Sequence, residues 1–299
     1  MADTGVFQHF VITRYFVRFS ERTDDRESQL RAEPDWLDNR LELFKTFCLP
    51  SVVAQSDQNF RWYLYFDEGT PAAYLAKVQE LVSPYANMEL KICRLFTREM
   101  LEDDIRAGLR PETKWVLTTR LDNDDAWHRD FVKTLHRQTT FDRREFLNFP
   151  VGLIYYNRNI YLYRHLSNAF ISLIEPTEGM LTVWCGAHAF LGKIAPIRQL
   201  RPFPAFLQVV HGQTRSNKPR GVRIHRVVAL EGFEAIPELF DSPRDSDLGI
   251  LWDGLISAPQ WALRDRLVAF ARGAARRVVA AGFGGTRVAR LLRALTVDH

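Results

Sequence analysis

Over its first 150 residues the chain alternates between strand-like and helix-like segments, and nothing else in the sequence restricts the fold as strongly. Residues 6–19 are dense in β-branched and aromatic side chains and read as a strand followed by a loop. Trp36, Leu37, Arg40, Leu41, Phe44, Phe47 and Cys48 recur at helical spacing, with Pro50 expected to close that helix. Residues 60–66 read as a second strand, ending at Asp67 and Gly69. Pro71 then opens a helix that runs to Val82. A third strand is expected over 88–96 and a helix over 98–108, ending in glycine. A fourth strand, 114–120, runs straight into Leu121-Asp122-Asn123-Asp124-Asp125, and a helix resumes over 130–137. This order predicts an α/β layer fold with a mostly parallel sheet and right-handed crossovers. Ligands in such sheets bind beyond the carboxyl ends of the strands. Three polar clusters fall there: Thr13/Arg14, Asp67/Glu68 and Arg120 through Asp125.

The pattern changes after residue 145. Segments 145–150, 151–156 and 160–164 read as strands, with a turn over 156–159, and 180–192 reads as a further strand or strand-turn. The second half is therefore expected to be antiparallel or mixed and to extend the same sheet. Residues 201–206 form a Pro-punctuated loop, 231–260 look irregular, and the chain becomes helical beyond Pro259. The expected division is a domain over 1–260 and a tail over 261–299.

Charge separates these two parts. Of 40 Lys+Arg and 36 Asp+Glu, the tail holds eight Arg and two acids; residues 1–260 are left with 32 basic and 34 acidic side chains. A near-neutral body argues against a nucleic-acid binder. Hydrophobic residues at 46% and charged residues at 25% exclude a disordered chain. Three scattered cysteines, Cys48, Cys93 and Cys185, make neither a disulfide framework nor a thiolate zinc site. The N-terminus has no basic segment followed by an apolar run, and no stretch of 18 apolar residues occurs, so neither a signal peptide nor a membrane span is expected. These features favour a cytoplasmic protein. P-loop, dinucleotide and GxSxG hydrolase motifs are absent, and the acidic loop lacks the glycine and twelfth-position acid of an EF-hand.

The chemistry concentrates in Arg120-Leu121-Asp122-Asn123-Asp124-Asp125. Three carboxylates within four residues at the end of an apolar strand repel one another and call for a cation. Oxygen ligands select Mg2+ or Mn2+. An acidic cap ahead of the helix at 130, or a solvated turn, would give the same letters.

The segments HFVITRY, FCLPSV, WYLYFDEGTP, TTRLDNDDA and QVVHGQTRSN, in this order, resemble the bacterial rhamnosyltransferase family of GT-A glycosyltransferases over roughly residues 7–240. The resemblance implies a GT-A fold: a Rossmann-like mixed sheet flanked by helices, which transfers a sugar from a nucleotide-diphosphate sugar to a glycan or glycolipid. It implies that Asp122, Asp124 and the adjacent Asp125 bind the divalent ion that bridges the donor diphosphate, with His211 as a further ligand. It places Thr13 and Arg14 at the nucleotide and Asp67 at the base or ribose, where a helix-capping acid would also stand. Arg120 either neutralises phosphate or pairs with the acids beside it. An inverting enzyme needs a carboxylate base; Glu178, and behind it Glu175, lie in the half expected to bind the acceptor. A retaining mechanism, without such a base, stays open. Trp184 and His188 line the acceptor pocket or belong to the core.

Two amphipathic Arg-rich helices, joined by Gly282, Gly284 and Gly285, are expected in the tail. They suit an anionic membrane surface or pack on the body. The leading expectation is a metal-dependent transferase at the cytoplasmic membrane face. A non-catalytic sugar- or lipid-binding module and a divalent-metal nucleotidyltransferase are its rivals.

Overall fold

The computed structural model of the chain describes residues 7–19, 35–186, 188–211, 220–225, 230–241, 247–252 and 255. Two compact units emerge: Met1–Leu153 with Arg164–Val209 and Leu230–Ser242, and Ile154–Tyr163 with Val210–Ala229 and Pro243–His299. The expected tail helices over 261–299 lie outside the described residues.

The first unit is built on a seven-stranded mixed sheet. Its strands are β1 (Phe7–Phe16), β2 (Arg61–Asp67), β3 (Met88–Cys93), β4 (Trp115–Arg120), β6 (Glu145–Asn148), β9 (Ser172–Pro176) and β10 (Ile197–Gln199), in the order β10-β6-β9-β4-β1-β2-β3. The first four run parallel, and β9 lies antiparallel between β4 and β6. Helices supply the crossovers. A short α1 (Trp36–Leu43), a π turn (Phe44–Cys48) and α2 (Leu49–Val53) lead from β1 to β2; α3 (Ala72–Val82) and α4 (Arg98–Ala107) follow. The short β5 (Ala126–Trp127) and α5 (Phe131–Gln138) come after β4.

From β1 the chain winds outward to β2 and β3, then returns to place β4 on the other flank of β1. The winding direction thus reverses between β1 and β4, which opens a crevice at their carboxyl ends. β1 and β2 read as near-continuous apolar runs because both faces of a central parallel strand are covered. Phe10, Ile12, Tyr65, Val116, Phe146 and Leu173 fill the core beneath that crevice.

Two expectations need correction. Pro50 does not end the helical stretch. It occupies the first turn of α2, where its missing N–H costs nothing, and the π turn before it absorbs the change in register. Residues 180–192 do not form a strand. They carry turns and then a 3-10 helix, His188–Lys193. The strand of that region is β9, whose Leu173 and Ile174 are fully buried.

In the first unit β5 also pairs antiparallel with the start of β11 (Phe206–Val210). β7 (Val151–Tyr156) runs from the first unit into the second. In the second unit β8 (Asn159–Arg164) pairs antiparallel with β12 (Val222–Arg223). The expected turn stands ahead of β8: Asn157 and Arg158 both take positive φ, 46° and 61°, the geometry of a two-residue hairpin loop. That unit also holds α6 (Asp247–Trp252). No helix of the described residues is long and apolar enough to cross a membrane.

Candidate functional site

β1 and β4 deliver Thr13, Arg14 and Arg120 to the crevice, and the acidic loop leaves β4 there. Thr13 is fully buried and its hydroxyl is used twice: it donates to the Leu121 carbonyl (2.7 Å) and accepts from Trp62 Nε1 (2.8 Å). It therefore acts as a strut that ties the acidic loop to β1 and β2. Cys48, from the π turn, adds a weak contact at 3.6 Å to the Asp122 carbonyl, and the Asp125 amide closes the turn on that same oxygen at 3.2 Å.

The three acids of the loop have different surroundings. Asp125 is buried and accepts from the Val209 amide (2.9 Å). Burial, then the charges of Asp124 and Asp122, push its carboxyl well above the usual range. Asp124 is buried and pairs with Arg40 Nη1 at 2.6 Å. Asp122 is half-buried, and among the described residues its carboxylate has no hydrogen-bond or ion-pair partner. Burial raises its pKa; Arg14 opposes that shift, Asp124 adds to it, and Arg120 and Arg40 oppose it.

The two arginines of the strand ends converge on one indole. Arg14 Cζ lies 3.6 Å and Arg120 Cζ 4.1 Å from the Trp184 ring centroid. Guanidinium–indole contacts of this kind are attractive and help to hold two like charges close. Arg120 is buried, its Nε and Nη2 donating to the Val183 carbonyl (3.0 and 2.6 Å) and Nη2 also to Gly186. Burial and the neighbouring Arg14 bring its pKa down to about 10, so it stays charged at neutral pH.

The loop bearing Trp184 is fixed from below. Glu175 is buried on β9 and accepts from the Leu181 and Thr182 amides (2.9 and 2.8 Å) and from Arg144 Nε (2.9 Å). Thr118 on β4 accepts from the Val183 amide (2.8 Å). Thr182 takes a φ of 61°, a strained value for a β-branched residue, which these contacts enforce. Glu175, a candidate base by sequence, thus has a different task here: it shapes the turn under Trp184.

The structure brings Arg14, Arg120, Asp122, Asp124 and Asp125 together. Asp67 stands at the end of β2, where both carboxylate oxygens are engaged: one with Arg18 Nε, the other with the Gly69 amide (2.8 Å). Glu178 is exposed in the turn after β9. Pro176 pairs with Trp115 and Thr177 with the Lys114 carbonyl, so Glu178 lies at the opposite end of β4 from the acidic loop, a strand's length of about 16 Å away. His211 follows β11 in the second unit and is half-buried.

Sequence reasoning missed α1 as part of the site. Trp36 and Arg40 stood out only as an i, i+4 pair on a helix face. Arg40 Nε, Trp36 Nε1 and Asn123 Nδ2 are buried without a hydrogen-bond partner among the described residues. A buried polar group left unsatisfied costs about 1–3 kcal/mol. Three such donors lie beside one ion pair, that of Arg40 with Asp124.

The family model described as putative rhamnosyl transferase matches residues 8–223. No curated protein matches. Solved structures with a similar course of chain include Staphylococcus aureus TarS 1–349, at 11% identity over 68% of this chain and 60% of that one, TM-score 0.37. The same fragment in complex with UDP-GlcNAc gives 10% identity over 84% and 71%, TM-score 0.38. A putative nucleotide-diphospho-sugar transferase from Desulfovibrio desulfuricans G20 gives 10% over 69% and 81%, TM-score 0.34. The chain spans 60% of the TarS 1–349 fragment and 37% of the longer TarS chain. With the family match covering most of its length, from β1 to the end of β12, the chain belongs to the rhamnosyl transferase family of glycosyltransferases.

Proposed function

We propose that this chain transfers a sugar, rhamnose in keeping with its family, from a nucleotide-diphosphate sugar to a glycan or lipid-linked acceptor at the cytoplasmic membrane face. One observation carries the donor part of the reading. Asp122 presents a half-buried carboxylate without a partner among the described residues, next to Arg14 and Arg120, at the switch point between β1 and β4. That combination suits a dianionic diphosphate with its counter-cation.

The residues present fit a Mn2+ or Mg2+ ion. Among the described residues no three His, Cys, Asp or Glu side chains are grouped to cage one. Hard divalent ions in phosphate sites take one or two carboxylates and complete their shell with water and phosphate oxygens. Asp122 and Asp124 are the two that would hold it; Asp125 is turned to the Val209 amide. Bound there, the ion would supply Lewis-acid stabilisation to the departing diphosphate.

The chain's own residues account for the remainder. Breaking the bond between the anomeric carbon and the phosphate oxygen develops positive charge on the sugar and negative charge on the leaving group. Arg14 and Arg120 face that negative charge from fixed positions, and a preorganised cation in a water-poor crevice needs no reorganisation as the charge develops. Trp184 holds both guanidiniums in place. The arginine-rich tail is the segment of the chain suited to an anionic lipid surface.

The test is a thermal-shift panel of UDP, GDP, dTDP and their sugars, with and without Mn2+. A ligand at 100 times its Kd stabilises the native state by about 2.7 kcal/mol. The expected result is a rise in Tm that needs both the metal and one nucleotide, and that Asp122→Asn removes. No shift with any nucleotide would sink the donor-site reading.

A further inference from the structure

Arg40 is tied to the acidic loop by one end only. Its Nη1 donates to Asp124 Oδ2 at 2.6 Å and approaches Asn123 Oδ1 at 3.4 Å, whereas its Nε is buried with no hydrogen-bond partner among the described residues. The surroundings repeat this pattern. Trp36, 7% exposed, and Asn123, 4% exposed, each bury a side-chain N–H that meets no acceptor among the described residues. The Trp36 ring lies 5.2 Å from Arg40 Cζ, so all three donors fall within one side chain's reach.

Arg120 and Arg144 are anchored differently, each through Nε and Nη2. Arg120 spends Nε and Nη2 on two backbone carbonyls. Arg144 divides Nε and Nη2 between Glu175 and the Gly179 carbonyl. Around Arg40 the donors exceed the acceptors, and what is missing is an oxygen-rich anion. A diphosphate is such an anion, and the guanidinium fork matches two of its oxygens at once.

Resting on the donor-site reading above, we propose that Arg40 is an exchangeable counter-ion. In the empty enzyme it neutralises Asp124. When the donor arrives it passes to the diphosphate and leaves the Asp124 carboxylate to the divalent ion. The exchange keeps both Arg40 and Asp124 matched to an opposite charge at both stages, which a buried carboxylate requires. It also couples the two ligands: each removes a partner that opposes the other, so metal and donor favour each other's binding.

Two titrations on the full chain test this without turnover. The first follows Mn2+ alone by the loss of the free-ion electron paramagnetic resonance signal. The second follows inorganic pyrophosphate, in the presence of EDTA, by calorimetry. Arg40→Met is expected to bind Mn2+ about tenfold more tightly than wild type and pyrophosphate about tenfold more weakly, within the usual range of site coupling. Arg40→Lys keeps the charge but not the fork, and is expected to hold Mn2+ affinity near wild type while still weakening pyrophosphate. A purely structural ion pair would instead weaken both ligands in Arg40→Met. Mn2+ affinity unchanged or reduced in Arg40→Met, or pyrophosphate affinity unchanged, overturns the exchange. Should wild type bind neither Mn2+ nor pyrophosphate, singly or together, the donor-site reading itself falls and takes the exchange with it.

Discussion

Two of the buried polar networks in the first unit differ in how completely their hydrogen bonds are made. One is the acidic loop with Arg14, Arg40 and Arg120. The other runs between α5 and the amino-terminal half of β1. There Asp57 Oδ2 meets His136 Nδ1 (2.8 Å), His136 Nε2 meets His9 Nδ1 (3.0 Å), His9 Nε2 meets Thr119 Oγ1 (2.8 Å), and Thr119 meets Ser172 Oγ (2.7 Å). With Asp57 ionised, one proton arrangement satisfies every link: each group donates toward Asp57 and accepts from the next, with both imidazoles neutral. Nothing in this chain waits for a ligand. The loop network leaves three buried donors without acceptors and one carboxylate without a partner among the described residues. A buried network that is complete holds the fold; the one left incomplete beside the topological switch point is where the donor-site proposal puts the ligand.

The contrast is sharpest in what substitutions should do. Asp122→Asn removes a half-buried negative charge whose ionised form the surroundings disfavour and which the proposed donor site uses. Its expected effect is a fall in the transfer rate of about 100- to 1000-fold, the scale of losing a charge-stabilising group at a reacting centre. Its melting temperature should hold level or rise. An active variant with a lowered Tm would erase the distinction. His9→Ala should behave in the opposite way. It deletes a residue that is 2% exposed and strands His136 and Thr119. A loss of about 2–4 kcal/mol in urea unfolding is expected, with donor binding by the folded protein unchanged.

Acid gives the smallest test. Burial first, then His136, hold His9 well below its ordinary pKa of 6.5, against a small opposing pull from Asp57. The unfolded chain therefore takes up a proton below about pH 6.5 that the folded His9 refuses, and stability falls as the pH drops through that range. The slope for this one group is at most about 1.4 kcal/mol per pH unit. Asp57, held down to about 2 mainly by its hydrogen bond to His136, adds stability above its unfolded pKa of 3.8 and loses it only as the pH falls toward 2. Urea midpoints at pH 7.5 and 5.5 should therefore separate for wild type and draw together in His9→Ala. Equal separation in both proteins would assign the acid sensitivity elsewhere.

The sequence alone determined the parallel half of the sheet. A β-α-β alternation leaves few topologies that bury each apolar run, so the positions of β1 to β4, the polar strand ends and the acidic loop were all legible from residue type and spacing. It did not reveal β9, because five residues that fill a central antiparallel position look like any short apolar run. The same shortfall turned 180–192 into a strand on paper. In the fold that segment opens on a strained turn, shaped by Glu175 from the preceding strand β9 and by Thr118 from β4, distant in sequence. Tertiary structure alone decided the partners. It put Glu178 at the far end of β4, gave Thr13 and Asp67 internal hydrogen bonds, and drew Arg40 from α1 onto Asp124. Periodicity reports which face of an element is buried; which charge meets which depends on how elements far apart in the chain pack, and no local pattern encodes that.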